Sequence, residues 1–196
     1  MNYVSRGGIK LEHALKEFNI NPQGKIAIDV GASTGGFTDC LLQHGAAKVY
    51  SVDVAYGQFA WKLRQDPRVK VIERKNIRYL TLKDLGLATS DIGLCTIDVS
   101  FISLSKVLPA VYDLLAERAE VIALIKPQFE ARREQVGKGG IIKDPKVHEE
   151  VIEKAKKSAQ EVGFKIKGVI QSPIEGADGN IEFLIYLLKG NESTNV

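Results

Sequence analysis

A mostly parallel α/β sheet with helices on both faces is predicted by this sequence from three observations. Short apolar runs alternate with amphipathic stretches through most of the chain. A glycine-bearing loop joins the first of these runs to the helix after it, and the last two runs are separated only by a turn-rich segment. Strand–helix–strand repetition builds a parallel sheet with right-handed crossovers. A terminal hairpin adds an antiparallel last strand to it. The expected total is seven strands.

The elements follow in order. "SRGGIKLEHALKEFN" carries Leu11, Ala14, Leu15 and Phe18 on one helical face, an amphipathic helix ahead of the first strand. Strands are predicted at "KIAIDVG" (Lys25–Gly31), "KVYSVDV" (Lys48–Val54), "VKVIE" (Val69–Glu73), "DIGLCTIDVS" (Asp91–Ser100) and "EVIALIK" (Glu120–Lys126). Between them, "GFTDCLLQHG", "GQFAWKLRQ", "TLKDLG" and "SLSKVLPAVYDLLAE" show apolar positions three and four apart. Pro109 predicts a kink or a late start in the last of these. "PKVHEEVIEKAKKSAQEVG" opens on Pro145 and closes on Gly163, which are helix start and stop signals. "FKIKGVIQSP" and "NIEFLIYLLK" are the final two strands, joined through "IEGADG", and "NESTNV" reads as a polar tail over 191–196.

Composition bounds the class. The 196 residues suit one or at most two domains, with 44% apolar and 26% charged residues. A net charge of +3 demands no polyanionic partner by itself. Between Trp61 and Lys83, however, eight Lys/Arg face two acids, a local excess that suits a phosphate backbone or a solvated helical face. Cys40 and Cys95 belong to no metal-ligand pattern, and His13, His44 and His148 have no ligand spacing, so no metal is expected. No apolar stretch reaches ~18 residues and no secretion signal opens the chain, so a cytoplasmic protein without membrane contact is expected.

"DVGASTGGFTDC" (Asp29–Cys40) lies where a doubly wound sheet binds a nucleotide. Gly31 and Gly36 match the outer glycines of the dinucleotide fingerprint, but Ser33 replaces the glycine that lets backbone approach a pyrophosphate. Asp53 ends the second strand 22 residues after Gly31, where an acid can accept both ribose hydroxyls. Ribose recognition without a phosphate cradle points to S-adenosylmethionine. The expected cofactor contacts are Asp29 (for the ammonium), Gly31, Ala32, Ser33, Gly35, Gly36, Phe37 and Asp53. Asn76 is expected at the adenine edge, and Asp98 and Val99 after the fourth strand.

Several longer segments carry a family resemblance: "YVSRGGIKLE", "DVGASTGGFTDCLL", "YGQFAWKLRQDPRV", "DVSFISL", "LIKPQFE" and "GNIEFL". In these the sequence resembles the haemolysin A/TlyA group of FtsJ-like ribosomal RNA 2'-O-methyltransferases. The resemblance implies a Rossmann-like S-adenosylmethionine-dependent methyltransferase fold over 1–190. It also implies a catalytic Lys-Asp-Lys-Glu tetrad, matched here by Lys10, Asp98, Lys126 and Glu182. In that group a small S4-type RNA-binding module usually precedes the domain. This chain begins at the junction, and the module is expected to be absent.

A methyl sulfonium is already electrophilic, so the enzyme must align oxygen, methyl and sulfur and take a proton as the bond forms. The resemblance implies Lys126 as proton acceptor and Lys10 as stabiliser of developing negative charge, with Asp98 and Glu182 orienting the lysines. A carboxylate beside a lysine favours the charged amine, whereas a second cation and partial burial favour the neutral one. That is a physical reason for two lysines. Pro127, unable to donate to a sheet, helps end the fifth strand. Arg6 and Lys10 in "SRGGIK", with Arg132, Arg133 and Lys138 in the loop after the fifth strand, are the expected RNA contacts. The alternatives are a non-catalytic RNA- or S-adenosylmethionine-binding module and a membrane-active haemolysin.

Overall fold

The carboxyl ends of the five parallel strands share one edge of the sheet. The computed structural model describes residues 2–176 and 179–190. Its sheet has seven strands: β1 (Ile26–Val30), β2 (Lys48–Val52), β3 (Val69–Ile72), β4 (Ile92–Ile97), β5 (Glu120–Ile125), β6 (Phe164–Gln171) and β7 (Phe183–Lys189). Their spatial order is β3-β2-β1-β4-β5-β7-β6. The first five pair in parallel, while β7 runs antiparallel to both β5 and β6. The order reverses between β1 and β4, and a crevice outside the carboxyl ends is expected at that switch point.

Helices cover both faces. On one side lie α1 (Gly7–Glu17) and α2 (Gly36–Gln43); on the other, α5 (Leu108–Leu114) and α7 (Pro145–Val162). Strand β5 shows why both are needed. Ile122 and Leu124 belong to the core shared with α1 and α2, and Val121, Ala123 and Ile125 to that shared with α5 and α7. Side chains alternate across a strand, so an unbroken apolar run has to be buried on both faces. Helix α7 starts on Pro145 behind the Asp144 cap and stops at Gly163, whose φ of +112° suits glycine.

Three one-turn helices complete the set: α3 (Trp61–Arg64), α4 (Leu82–Leu85) and α6 (Pro127–Glu130). The expected helix over "GQFAWKLRQ" shrinks to α3. Gly57 has positive φ and donates to Glu73 Oε1 at 2.8 Å, and Ala60 is extended, so the chain is held as a loop until Trp61. Pro109 sits in the first turn of α5, which starts late. Strand β4 stops at Ile97, three residues short of the sequence expectation, because its partner β1 ends at Val30, where Gly31 turns with positive φ; the 2.8 Å bond from Asp98 N–H to the Val30 carbonyl is the last of that ladder. Pro127 opens α6, where a missing N–H costs nothing. The tail expected over 191–196 lies outside the described residues, as do Ala177 and Asp178 of the last connection. No helix among the described residues is long and apolar enough to cross a membrane.

Candidate active site

The loop after β1 is shaped by one close approach. Gly31 has a φ of +83°, and a Cβ there would lie 2.2 Å from the carbonyl oxygen of Asp98. Only glycine fits both the conformation and the space. The next turn is pinned to β2: Ser33 N–H donates to Asp53 Oδ2 at 2.7 Å, and Ala55 N–H donates to Asp53 Oδ1 at 2.8 Å. Each Asp53 oxygen thus holds one backbone donor and keeps a lone pair for another. That capacity matches a pair of ribose hydroxyls.

Two adjoining cavities open at this edge. One, of about 610 Å³, is walled by Gly31, Ala32, Phe37, Asp98, Lys126 and the α1 residues around Lys10. The other, of about 480 Å³, is walled by Asp53, Asn76, Val99 and their neighbours. Gly31, Ser33, Asp98, Ser100 and Phe101 border both. A ligand with a ribose at Asp53 can therefore reach Asp98 and Lys126 with its other end. The residues fit S-adenosylmethionine, with an acid for the ribose at Asp53 in one cavity and, in the adjoining one, Asp98 and Lys126 beside the space for its other end.

All four tetrad positions line the larger cavity, as two ion pairs. Lys126 Nζ lies 2.5 Å from Asp98 Oδ1, at an angle outside the hydrogen-bond range, and donates to Ser100 Oγ at 3.0 Å. Lys10 and Glu182 form the second pair, with side chains only 10% and 2% exposed. Placing an ammonium and a carboxylate there is tolerable only because each neutralises the other.

A family model described as FtsJ-like methyltransferase matches residues 3–189. The chain belongs to the FtsJ-like methyltransferase family. It is 55% identical over 187 residues to a candidate rRNA methyltransferase, YqxC of Bacillus subtilis, covering 95% of this chain and 66% of the relative. Identity is 46% over 189 residues to Mycobacterium tuberculosis TlyA, a 16S/23S rRNA (cytidine-2'-O)-methyltransferase, covering 94% and 68%. The chain thus spans about two thirds of the length of these curated relatives. A crystal structure of a candidate hemolysin from Lactococcus lactis superposes with a TM-score of 0.92 at 55% identity, covering 97% of this chain and 90% of that one. More distant S-adenosylmethionine-dependent methyltransferases, at 10–19% identity, share the fold.

Within this FtsJ-like domain the expected cofactor residues divide. Gly31, Ala32, Ser33, Gly36, Phe37, Asp53, Asn76, Asp98 and Val99 line one cavity or both. Gly35 lines neither and serves as the left-handed cap of α2. Asp29 also faces neither cavity, contrary to the expectation that it receives an ammonium. Its carboxyl is fully buried, accepting from Thr38 Oγ1 at 2.7 Å and Thr96 Oγ1 at 3.1 Å. Burial pushes it up to about 7 against the pull of those hydroxyls, and the Asp98 charge adds to the rise.

The expected RNA contacts divide as well. Arg6 and Lys10 line the larger cavity. Arg132 is exposed and pairs with Glu134 and Glu150, while Arg133 and Lys138 are exposed outside the cavity wall. Ser100, Gln128 and Asn180 stand in that wall but were not singled out from sequence. Ser100 was within reach, because it directly follows the "DV" of the Asp98 motif. Asn180 was not: its Oδ1 accepts from Ile142 N–H and its Nδ2 donates to Gly140, contacts 38 and 40 residues away.

Proposed function

We propose that this domain transfers a methyl group from S-adenosylmethionine to a ribose 2'-hydroxyl of ribosomal RNA. The observation that carries this reading is the pair of lysine–carboxylate couples on one cavity, adjoining a second cavity with a ribose-binding acid. When bound, S-adenosylmethionine supplies an electrophilic methyl on a sulfonium. Lys126, held by Asp98 and Ser100, accepts the hydroxyl proton as the new carbon–oxygen bond forms. Lys10, held by Glu182, offers its remaining N–H groups to the developing negative charge on that oxygen. Glu182 and Asp98 keep the two lysine side chains at fixed places, Lys10 as the cation and Lys126 as the free amine that receives the proton, so the charge is met without rearrangement. The names of the relatives, which include an rRNA cytidine-2'-O-methyltransferase, support the substrate class. A cytoplasmic setting follows from a ribosomal substrate.

The test is transfer of labelled methyl from S-adenosylmethionine to ribosomal subunits, followed by digestion to nucleosides. A labelled 2'-O-methyl nucleoside, with alkali-resistant phosphodiester linkage at the mapped position, is expected. Label on a base, or none on either subunit or their free RNA, would overturn the reading.

A further inference from the structure

The basic stretch between Trp61 and Lys83 resolves into two populations. Lys62, Arg64, Arg68 and Lys75 pair with Asp39, Glu73, Asp66 and Asp84. Lys70 donates to the carbonyl oxygens of Asp84 and Leu85. Four of the eight cations seen in the sequence are therefore neutralised by carboxylates within the fold. Arg74 and Arg78 pair with no carboxylate among the described residues. Each lies beside an aromatic ring instead, Arg74 4.2 Å from the centre of Tyr56 and Arg78 5.4 Å from that of Tyr79.

Exposed apolar side chains gather at the same place. Among the described residues, the large hydrophobic side chains left exposed are Val54, Tyr56, Trp61, Tyr79 and Phe101, at 66–90%. All five follow the carboxyl ends of β2, β3 or β4. A rim of exposed aromatic side chains at the carboxyl edge of the sheet suits an interaction surface. A cleft of about 550 Å³ between Arg78, Lys106 and Phe129 joins this rim to the larger cavity, with which it shares Phe101 and Phe129. Lys106 is exposed and also lacks a carboxylate partner among the described residues.

Unpaired cations interleaved with open aromatic faces suit a ligand that is both polyanionic and rich in unstacked rings. Single-stranded RNA is such a ligand; duplex RNA hides its ring faces. We propose that Tyr56, Arg74, Arg78, Tyr79 and Lys106 bind the single-stranded RNA flanking the acceptor nucleotide, and that the strand enters the larger cavity over Phe101. This inference rests on the RNA reading above and gives the substrate a direction across the domain.

The test uses this chain, a fluorescent 12-nucleotide single strand, the same length of duplex, and ribosomal subunits. Two variants leave both S-adenosylmethionine-side cavities intact: Tyr79→Ala, and the double change Arg74→Gln with Lys106→Gln. Tyr79→Ala should weaken single-strand binding about tenfold. The double variant should lower the slope of log affinity against log salt by roughly 1.4. Both should raise KM for subunits with kcat and S-adenosylmethionine affinity unchanged. Wild-type affinity and salt slope in both variants would overturn the proposal, as would a wild-type chain that binds duplex as well as single strand or binds neither. If wild type methylates subunits while the variants match it, the surface is refuted and the function stands. If wild type binds single strands through these residues yet methylates no RNA, the function falls and the surface stands.

Discussion

Asp29→Asn tests how the fold treats a carboxyl that the sequence places in the cofactor loop. Asp29 is fully buried beneath that loop, with Thr38 and Thr96 as its hydroxyl donors and Ser51 Oγ 2.8 Å behind Thr38. Burial dominates and raises its pKa from an ordinary 3.8 to about 7. At about 1.4 kcal/mol per tenfold in proton affinity, that rise corresponds to about 4 kcal/mol. The sign follows from linkage. Between roughly pH 4 and pH 7 the native state holds a proton that the unfolded state has released, so stability falls as pH increases. The contribution is complete below pH 3.8, is lost as pH climbs through 7, and leaves no slope above that. Urea unfolding of wild type and Asp29→Asn from pH 4.5 to 8.5 measures it. The wild-type stability minus that of the variant should drop by a few kcal/mol, most of it before pH 7.5. Profiles that stay parallel to within ~1 kcal/mol would refute the assignment of Asp29 as a buried, proton-holding group.

Other perturbations address the site directly. Lys126→Ala should abolish methyl transfer while S-adenosylmethionine affinity by calorimetry stays within a few-fold; retained turnover would remove Lys126 from the chemistry. Glu182→Gln leaves the Lys10 ammonium, on a side chain 10% exposed, without its counter-charge. A loss of about 3 kcal/mol in urea unfolding is expected, and adding Lys10→Met should recover much of it. A loss below ~1 kcal/mol would mean that the pair is not buried as described. Gly31→Ala would force a Cβ to within 2.2 Å of the Asp98 carbonyl, at a φ of +83°. Thermal melting with and without S-adenosylmethionine should show a lower midpoint and no ligand-induced rise, and a variant that kept both would show the loop to be more forgiving.

Much of the sheet was legible because its signals are local. Strand β5 reads as an apolar run whose both faces need cover, and "DVGASTGG" announces its own turn. Pro145 and Gly163 bracket α7 by backbone chemistry alone. Errors fell where a distant partner overrides local preference. Strand β4 stops early because its partner β1 ends at Val30, and α3 starts late because Glu73 holds Gly57. Asp29 sits in a motif where an exposed acid would be useful, yet hydroxyls from α2 and β4 enclose it.

By itself, then, the sequence determined the order of strands and helices, the family, and the four ionisable residues that share the site. Those depend on periodicity, turn residues and motif identity, which any short window carries. That Glu182 is the acid holding Lys10 was decided only in the folded chain, where the two meet across 172 residues. Tertiary structure also decided which cations of the basic stretch remain for a partner. Composition counts charges, whereas neutralisation depends on carboxylates that approach only when the sheet has formed.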